Sequence, residues 1–475
     1  MKARSLFLNA ASLVLGRMLL SFGRLGATLL VARVAGAETY GEYALVIGSV
    51  FLCEWLADFG QTDITVRDTG QFGNLGNLVQ LQRLKVVTAP LAAATLPVML
   101  FGLGYSTDMV LAGVTGTLAV LATGALQPYR AALRLEGRQH IDIGAEIAGF
   151  GLMIALLIMS LWFDLGLWAL IGASSAARIV QLVLLWFLTV AHGDEQDAQP
   201  LNIWRLAQAA FPLGIIGLLV LVYELSAPII LSYSVGFADV GLFMAAFRLV
   251  APTVIVSQAI SQAFFPVLSA AWGTQSVDLI AGQNAVVLLC ALSSSIMAAA
   301  AFGGADALMG LFGSEFLPAA DILRVLSIVV FLRAMTTAMS PLIIIADRQS
   351  LALWLTVTAV VLQLVLLVVL VPRFGLIGAA LGYLAVELVV STFAVWLFAV
   401  KVSGVQPNWT VPLRVAIGLG VAAAGVAWIG VSGNWIGFFV APSILLATMG
   451  LLGVLTPQRA RTVAEILSRR ASVDV

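Results

Sequence analysis

Apolar runs of 18 residues or more follow one another along this 475-residue chain, with short polar breaks between them. A run of that length crosses the hydrocarbon core of a bilayer as a helix. Every backbone group there must be satisfied within the chain, so a polypeptide built from many such runs has few other folds open to it. Composition agrees: 61% of residues are hydrophobic and 10% charged, with a mean hydropathy of +1.05, against about a quarter charged in soluble domains. The expected fold class is an all-α polytopic membrane protein.

Runs and breaks mark about fourteen transmembrane helices. They lie near 6–33, 42–66, 86–104, 109–129, 143–163, 167–191, 206–232, 240–267, 281–302, 319–345, 350–371, 375–400, 413–431 and 436–455. The longest polar connections, about 68–85 and 192–202, leave no room for an extramembrane catalytic domain, so an enzyme is not expected. Cys53 and Cys290 fall inside spans, and His140 and His192 in separate loops, which gives neither a disulfide framework nor a metal site. No cofactor is expected, and no G-x-x-x-x-G-K-[ST] loop is present for nucleotide. The start, "MKARSLFLNAASLVLG", imitates a signal peptide, but its apolar run continues past Arg17 to about Val31 and reads as a retained first helix.

Positive charge fixes the expected orientation. With the N-terminus in the cytoplasm, that side collects Lys2, Arg4, Arg67, Arg83, Lys85, Arg130, Arg134, Arg138, Arg205, Arg348, Lys401, Arg414 and the arginines of the C-terminal tail. The far side has Arg33, Arg373 and Arg324. The asymmetry follows the positive-inside rule, and an even number of spans returns the C-terminus to the cytoplasm. No nucleic-acid partner is expected.

An internal repeat runs through the chain. "GAETYGEY" at 36–43 matches "GFADVGLF" at 236–243, "EGRQ" at 136–139 matches "ADRQ" at 346–349, and "LGLWALIG" at 165–172 matches "FGLIGAALG" at 374–382. The offsets of 200, 210 and 209 are nearly constant over six spans, so the two halves insert in the same orientation. The expected division is a six-helix lobe at 1–192, a cytoplasmic linker at 193–202, a second six-helix lobe at 203–401, and two extra helices with a basic tail at 402–475.

Several segments resemble a known family. "LLVARVAGAETYGEYAL", "GLFMAAFRLV", "LFGSEFLPAADILRVLS" and "VPRFGLIGAALG" are similar to recurring segments of polysaccharide (O-antigen-type) flippases. These belong to the multidrug/oligosaccharidyl-lipid/polysaccharide exporter superfamily. The resemblance spans roughly residues 5–400. It implies two lobes around a central cavity, alternating access, and an undecaprenyl-diphosphate-linked oligosaccharide as cargo. It further implies the cytoplasmic (inner) membrane as location, a single copy as transport unit, and polysaccharide polymerase and chain-length proteins as partners. Many members carry an acid shortly after the tyrosine of a segment like "YELSAPIIL"; here that place holds Ser226, and the acid is Glu224.

Charges inside spans need compensation, because an arginine at the centre of a spanning helix costs roughly 2.5–3.5 kcal/mol on insertion scales. On the first span Arg17, Ser21, Arg24 and Thr28 share one face, within about 60° of arc at 100° per residue. The second span repeats the pattern with Glu54, Asp58, Gln61 and Thr65. Such stripes either pair and hold the N-terminal lobe together or line a hydrated cavity. Guanidinium donates parallel hydrogen bonds to phosphate oxygens and stays charged, which suits a diphosphate. Only Lys2, Lys85 and Lys401 of the 24 basic residues are lysine, and all three fall outside the expected spans. The substrate-binding candidates are Arg17, Arg24, Arg248, Ser21 and Thr28, and the candidates for H+ or Na+ coupling or cavity lining are Glu54, Asp58, Glu224 and Gln61. Arg178, Arg333 and Glu387 read as structural, with Arg333 a ready partner for Glu387, and the offset of 200 makes Glu224 a candidate counter-charge for Arg24. The competing functions are a lipid II flippase, a cation-coupled multidrug exporter, and a membrane polymerase or ligase acting on lipid-linked glycans.

Overall fold

The computed structural model describes residues 3–72, 76–189, 203–272, 277–346, 349–401, 409–456 and 459. The expected linker at 193–202 and nearly all of the basic tail lie outside them. The described residues form helices α1 (Ala3–Asp58), α2 (Gln61–Phe72), α3 (Gly76–Gly102), α4 (Thr107–Leu135), α5 (Gln139–Trp162), α6 (Leu167–Thr189) and α7 (Ile203–Ser234). They continue with α8 (Phe237–Ala271), α9 (Val277–Gly303), α10 (Ala305–Gly310), a 3₁₀ turn at Ser314–Ala319, and α11 (Ala320–Ile345). The last are α12 (Gln349–Lys401), α13 (Thr410–Ile429) and α14 (Trp435–Leu451).

Two of these helices each contain two membrane passes. At Gly36 the backbone of α1 leaves the helical region (φ 81°, ψ 174°), and at Gly375 that of α12 does the same (φ 57°, ψ −135°). Eleven helical segments among the described residues are long and apolar enough to cross a bilayer, and α14 is a shorter apolar helix. With α1 and α12 each counted twice and α14 added, the described residues hold fourteen apolar helical stretches, in line with the number expected.

The repeat is visible in the backbone. Gly36 has its counterpart in Gly236 (φ 113°) at the offset of 200, and Gly166 (φ 83°) has its counterpart in Gly375 at the offset of 209. All four lie where a side chain would be strained and glycine is not.

One expectation needs correction. The second pass does not run to 66: α1 stops at Asp58, Phe59 (φ 45°) and Gly60 (φ 79°) turn the chain, and α2 begins at Gln61. Glu54 and Asp58 therefore belong to one helix, and Gln61 and Thr65 to another. The single stripe drawn through all four does not exist.

The chain forms two compact units. The first comprises 1–229 with 236–241, the second 230–235 with 242–475. In the first unit Leu45, Val50, Leu96, Leu100, Val120 and Ile171 make a core between α1, α3, α4 and α6. In the second unit Phe264, Leu268, Val286 and Leu342 share one core with Val415, Val426, Leu445 and Met449. The two extra C-terminal helices are thus part of that unit's interior. Within it, Pro341 has no N–H for the carbonyl of Thr337 one turn earlier. The hydroxyls of Ser261 on α8 (3.0 Å) and Ser340 (2.9 Å) donate to that carbonyl instead.

Candidate functional site

Close helix packing builds the polar interior of the first unit. A Cβ on Gly16 would lie 2.5 Å from Ile143, and one on Gly23 2.7 Å from Phe150, so two glycines seven apart on α1 meet two residues seven apart on α5. A Cβ on Gly149 would stand 2.5 Å from the carbonyl oxygen of Ala177, which brings α5 equally close to α6. Small residues let membrane helices approach until their backbones nearly touch. Gly26, in contrast, has open space around it.

Those crossings bring six charges into one network. The Arg24 guanidinium donates to Glu146 Oε1. Arg178 reaches the same oxygen at 3.6 Å and Glu54 Oε1 at 3.7 Å, and the Thr123 hydroxyl donates to that Glu54 oxygen at 2.6 Å. Arg178 also donates to Gln181 Oε1 at 3.4 Å. Gln181 Nε2 in turn donates to Asp142 at 2.9 Å, and Asp142 pairs with Arg130 at 3.1 Å. Three arginines from α1, α4 and α6 thus face three carboxylates from α1 and α5. Equal and opposite charge, to which Thr123 and Gln181 add hydrogen bonds, favours the ionised form of groups drawn partly out of water.

Arg24 is therefore held by Glu146 and not by Glu224, which is half-buried and has no ion pair among the described residues. The pairing suggested by the repeat offset gives way to the close packing of α1 on α5. Arg24 still leaves 54% of its side chain exposed. Arg17, two turns earlier on the same face, is exposed and pairs with no carboxylate among the described residues. Ser21 donates its hydroxyl to the carbonyl of Arg17 (2.8 Å), and Thr28 is half-buried on that face.

A second cluster closes the end of α1. Lys85 lies inside α3, with 2% of its side chain exposed, and not before the span as expected. Its Nζ donates to Asp58 Oδ1 (2.7 Å), Gln61 Oε1 (3.0 Å) and the carbonyl of Ala57 (3.0 Å). Thr62 donates to Asp58 as well, and Thr88 to the carbonyl of Ala57 (2.9 Å). A cation at a helix C-terminus meets carbonyls without intrahelical donors and the negative end of the helix dipole. The arrangement gives Asp58 and Gln61 a visible structural task.

In the second unit Arg333 Nε lies 3.4 Å from Glu387 Oε1. Arg178 and Glu387 occupy the same place in the repeat, so the two units fill it with opposite charge. Arg248 on α8 is half-buried and has no ion pair among the described residues. Arg324 is held by Asp306 (2.9 Å) and Asp321 (2.6 Å).

Sequence reasoning missed Glu146, Asp142, Arg130 and Lys85. Asp142 and Glu146 stand four apart at the start of the expected span 143–163, on one helical face, and that spacing was the available signal. A cavity of about 540 Å³ in the first unit, lined by Val86, Pro90, Leu121, Tyr129, Leu182 and Trp186, is largely apolar and contains no α1 arginine.

A family model described as "Polysaccharide biosynthesis protein" matches residues 6–272, more than half of the chain. The chain belongs to the polysaccharide biosynthesis protein family. A probable low-salt glycan biosynthesis flippase, Agl15 of Haloferax volcanii, is 31% identical over 150 residues, which are 30% of this chain and 31% of that protein. The chain thus matches about a third of that relative's length. Among solved structures, the lipid II flippase MurJ in an inward closed conformation aligns with 94% of this chain and 98% of its own (TM-score 0.74, 11% identity). An inward-facing multidrug resistance MATE transporter of the MOP superfamily aligns with 80% of this chain and 95% of its own (TM-score 0.64, 16% identity). At those identities the likeness establishes the fold of this family member, a multi-pass membrane protein.

Proposed function

We propose that this protein flips a polyprenyl-diphosphate-linked oligosaccharide across the cytoplasmic membrane for surface polysaccharide synthesis. The observation that carries the reading is Arg17 on α1, an exposed arginine within a membrane pass and without a described counter-charge, on the face it shares with half-exposed Arg24. A permanent cation is costly there unless an anion visits it. A diphosphate offers such an anion, and its lipid tail remains in the bilayer. Family membership and the distribution of Lys and Arg support the same reading, in which both termini lie on the cytoplasmic side.

In the cytoplasm-open state the head group engages Arg17 and Arg24. The sugars follow into a hydrated cavity, which then opens to the opposite side. Binding drives this exchange only by favouring one state over the other, since a ligand of equal affinity for both shifts nothing. A gradient of H+ or Na+ supplies the direction. Of the three acids assigned to coupling, Glu54 and Asp58 are each held by a cation. Glu224 has no described ion pair, and the coupling role rests on it.

A cation-exporting reading fits an arginine-lined face poorly. Lipid II carries the same diphosphate chemistry and is the second reading, favoured by the fold likeness to a lipid II flippase. The test is a flipping assay in proteoliposomes with fluorescent polyprenyl-diphosphate oligosaccharides, lipid II, and an organic cation as separate cargoes. Flipping of the oligosaccharide lipids supports the proposal. Export of the cation without movement of any diphosphate lipid contradicts it.

A further inference from the structure

Glu146 occupies the position that an incoming anion would need. One of its oxygens, Oε1, serves both Arg24 and Arg178. Arg24 is the exposed member of the three, with 54% of its side chain accessible against 20% for Arg178 and 19% for Glu146. If Arg24 turns away, Glu146 keeps Arg178 at 3.6 Å, and Arg178 keeps Glu54 and Gln181. No buried charge is then left without a partner, so this contact can open at modest cost while the rest of the network stays closed.

Arg17 has no such internal partner among the described residues, and it stands two helical turns, about 10.5 Å along the axis, from Arg24. The two side chains are long and share a face, so their guanidinium groups can converge on one ligand with two anionic centres. A ligand with a single phosphorus centre satisfies Arg17 alone, and Arg24 stays with Glu146. A diphosphate holds Arg17 with one phosphate and replaces the Glu146 contact at Arg24 with the other.

We propose that Glu146 is a specificity-determining residue that occupies Arg24 when cargo is absent, so that a diphosphate head group is preferred over a monophosphate. This rests on the proposed function and assigns to it the number of phosphates in the cargo. Glu146 touches no cargo in this scheme; it acts by competing for Arg24.

The test measures binding of farnesyl diphosphate, farnesyl monophosphate and farnesol to the full chain in nanodiscs. Wild type is expected to prefer the diphosphate to the monophosphate by about ten-fold, the scale of one charge-assisted hydrogen bond. Glu146→Gln is expected to raise monophosphate affinity and narrow that preference to about three-fold, on the same scale. In an Arg24→Gln background, Glu146→Gln is expected to change nothing further. Arg24→Gln by itself should bring diphosphate affinity down to the monophosphate level and leave monophosphate affinity unchanged, which tests the scheme even if Glu146→Gln does not fold. Inorganic diphosphate should displace the farnesyl diphosphate probe; failure to compete would mean that the phosphates alone do not engage the site and would overturn the assignment.

An unchanged preference in Glu146→Gln, with wild type still binding the diphosphate, overturns the role of Glu146 and leaves the proposed function standing. Wild-type binding of both phosphates no tighter than farnesol overturns both.

Discussion

Lys85 Nζ and Asp58 Oδ1 lie 2.7 Å apart in the interior of the first unit, at the point where α1 ends. The lysine also holds the last carbonyl groups of that helix, so it neutralises an acid and caps a helix with one ammonium group. Removing one partner leaves a buried charge uncompensated, which costs about 3–5 kcal/mol. Lys85→Met is expected to lower the melting temperature in detergent, and Lys85→Met with Asp58→Leu to recover much of the loss. Full stability of the single variant, with transport abolished, would instead assign the pair to the transport cycle.

Gly149 sets the approach of α5 to α6, where Glu146 meets Arg178. A leucine at 149 would push into the carbonyl of Ala177, with an overpacking cost of about 1–3 kcal/mol. Gly151, two residues on, has open space around it, and a leucine there is expected to change stability by about 0.5 kcal/mol or less. Thermal unfolding of the two variants side by side checks the packing. Equal effects would contradict it.

Arg333 and Glu387 form the corresponding pair in the second unit. Arg333→Glu and Glu387→Arg are each expected to destabilise by about 3–5 kcal/mol as buried unpaired charges. The exchanged double variant should regain most of the folded yield, measured by size-exclusion chromatography after extraction. No recovery would place a third group between them.

Arg17 should behave differently from all of these. It is exposed and makes no described ion pair, so Arg17→Ala is expected to leave the folding stability within about 0.5 kcal/mol of wild type. Transport should nevertheless fall about ten-fold or more, since a charge-assisted bond to the head group is lost. Arg17→Lys keeps the charge without the planar fork and should fall between the two.

The sequence made the repeat legible because its signals are local. Gly36 and Gly236, or Gly166 and Gly375, mark the same turn wherever they occur, and the backbone takes the left-handed region at each. The reciprocal contact of Gly41 and Gly241 in the first unit follows from the same offset: a Cβ on either would enter the backbone around the other. Arg333 with Glu387 was legible for a related reason, since each lacked an alternative on its own face. Glu146 as the partner of Arg24 was not legible. That choice depends on how closely α1, α5 and α6 pack, which Gly23 and Gly149 decide through contacts with Phe150 and Ala177 far away in sequence. The acidic stripe of the second pass failed on a two-residue turn, where Phe59 adopts a positive φ that its residue type does not advertise.

The most direct test of the account is the rate at which a fluorescent polyprenyl-diphosphate oligosaccharide crosses proteoliposome membranes, compared between wild type and Arg17→Ala. Arg205→Ala, at another exposed arginine, serves as the control. The account predicts flipping by wild type and Arg205→Ala, and a loss of about ten-fold or more in Arg17→Ala at unchanged folded yield. Equal flipping by all three would contradict it, because the exposed cation of α1 would then have no part in carrying the diphosphate.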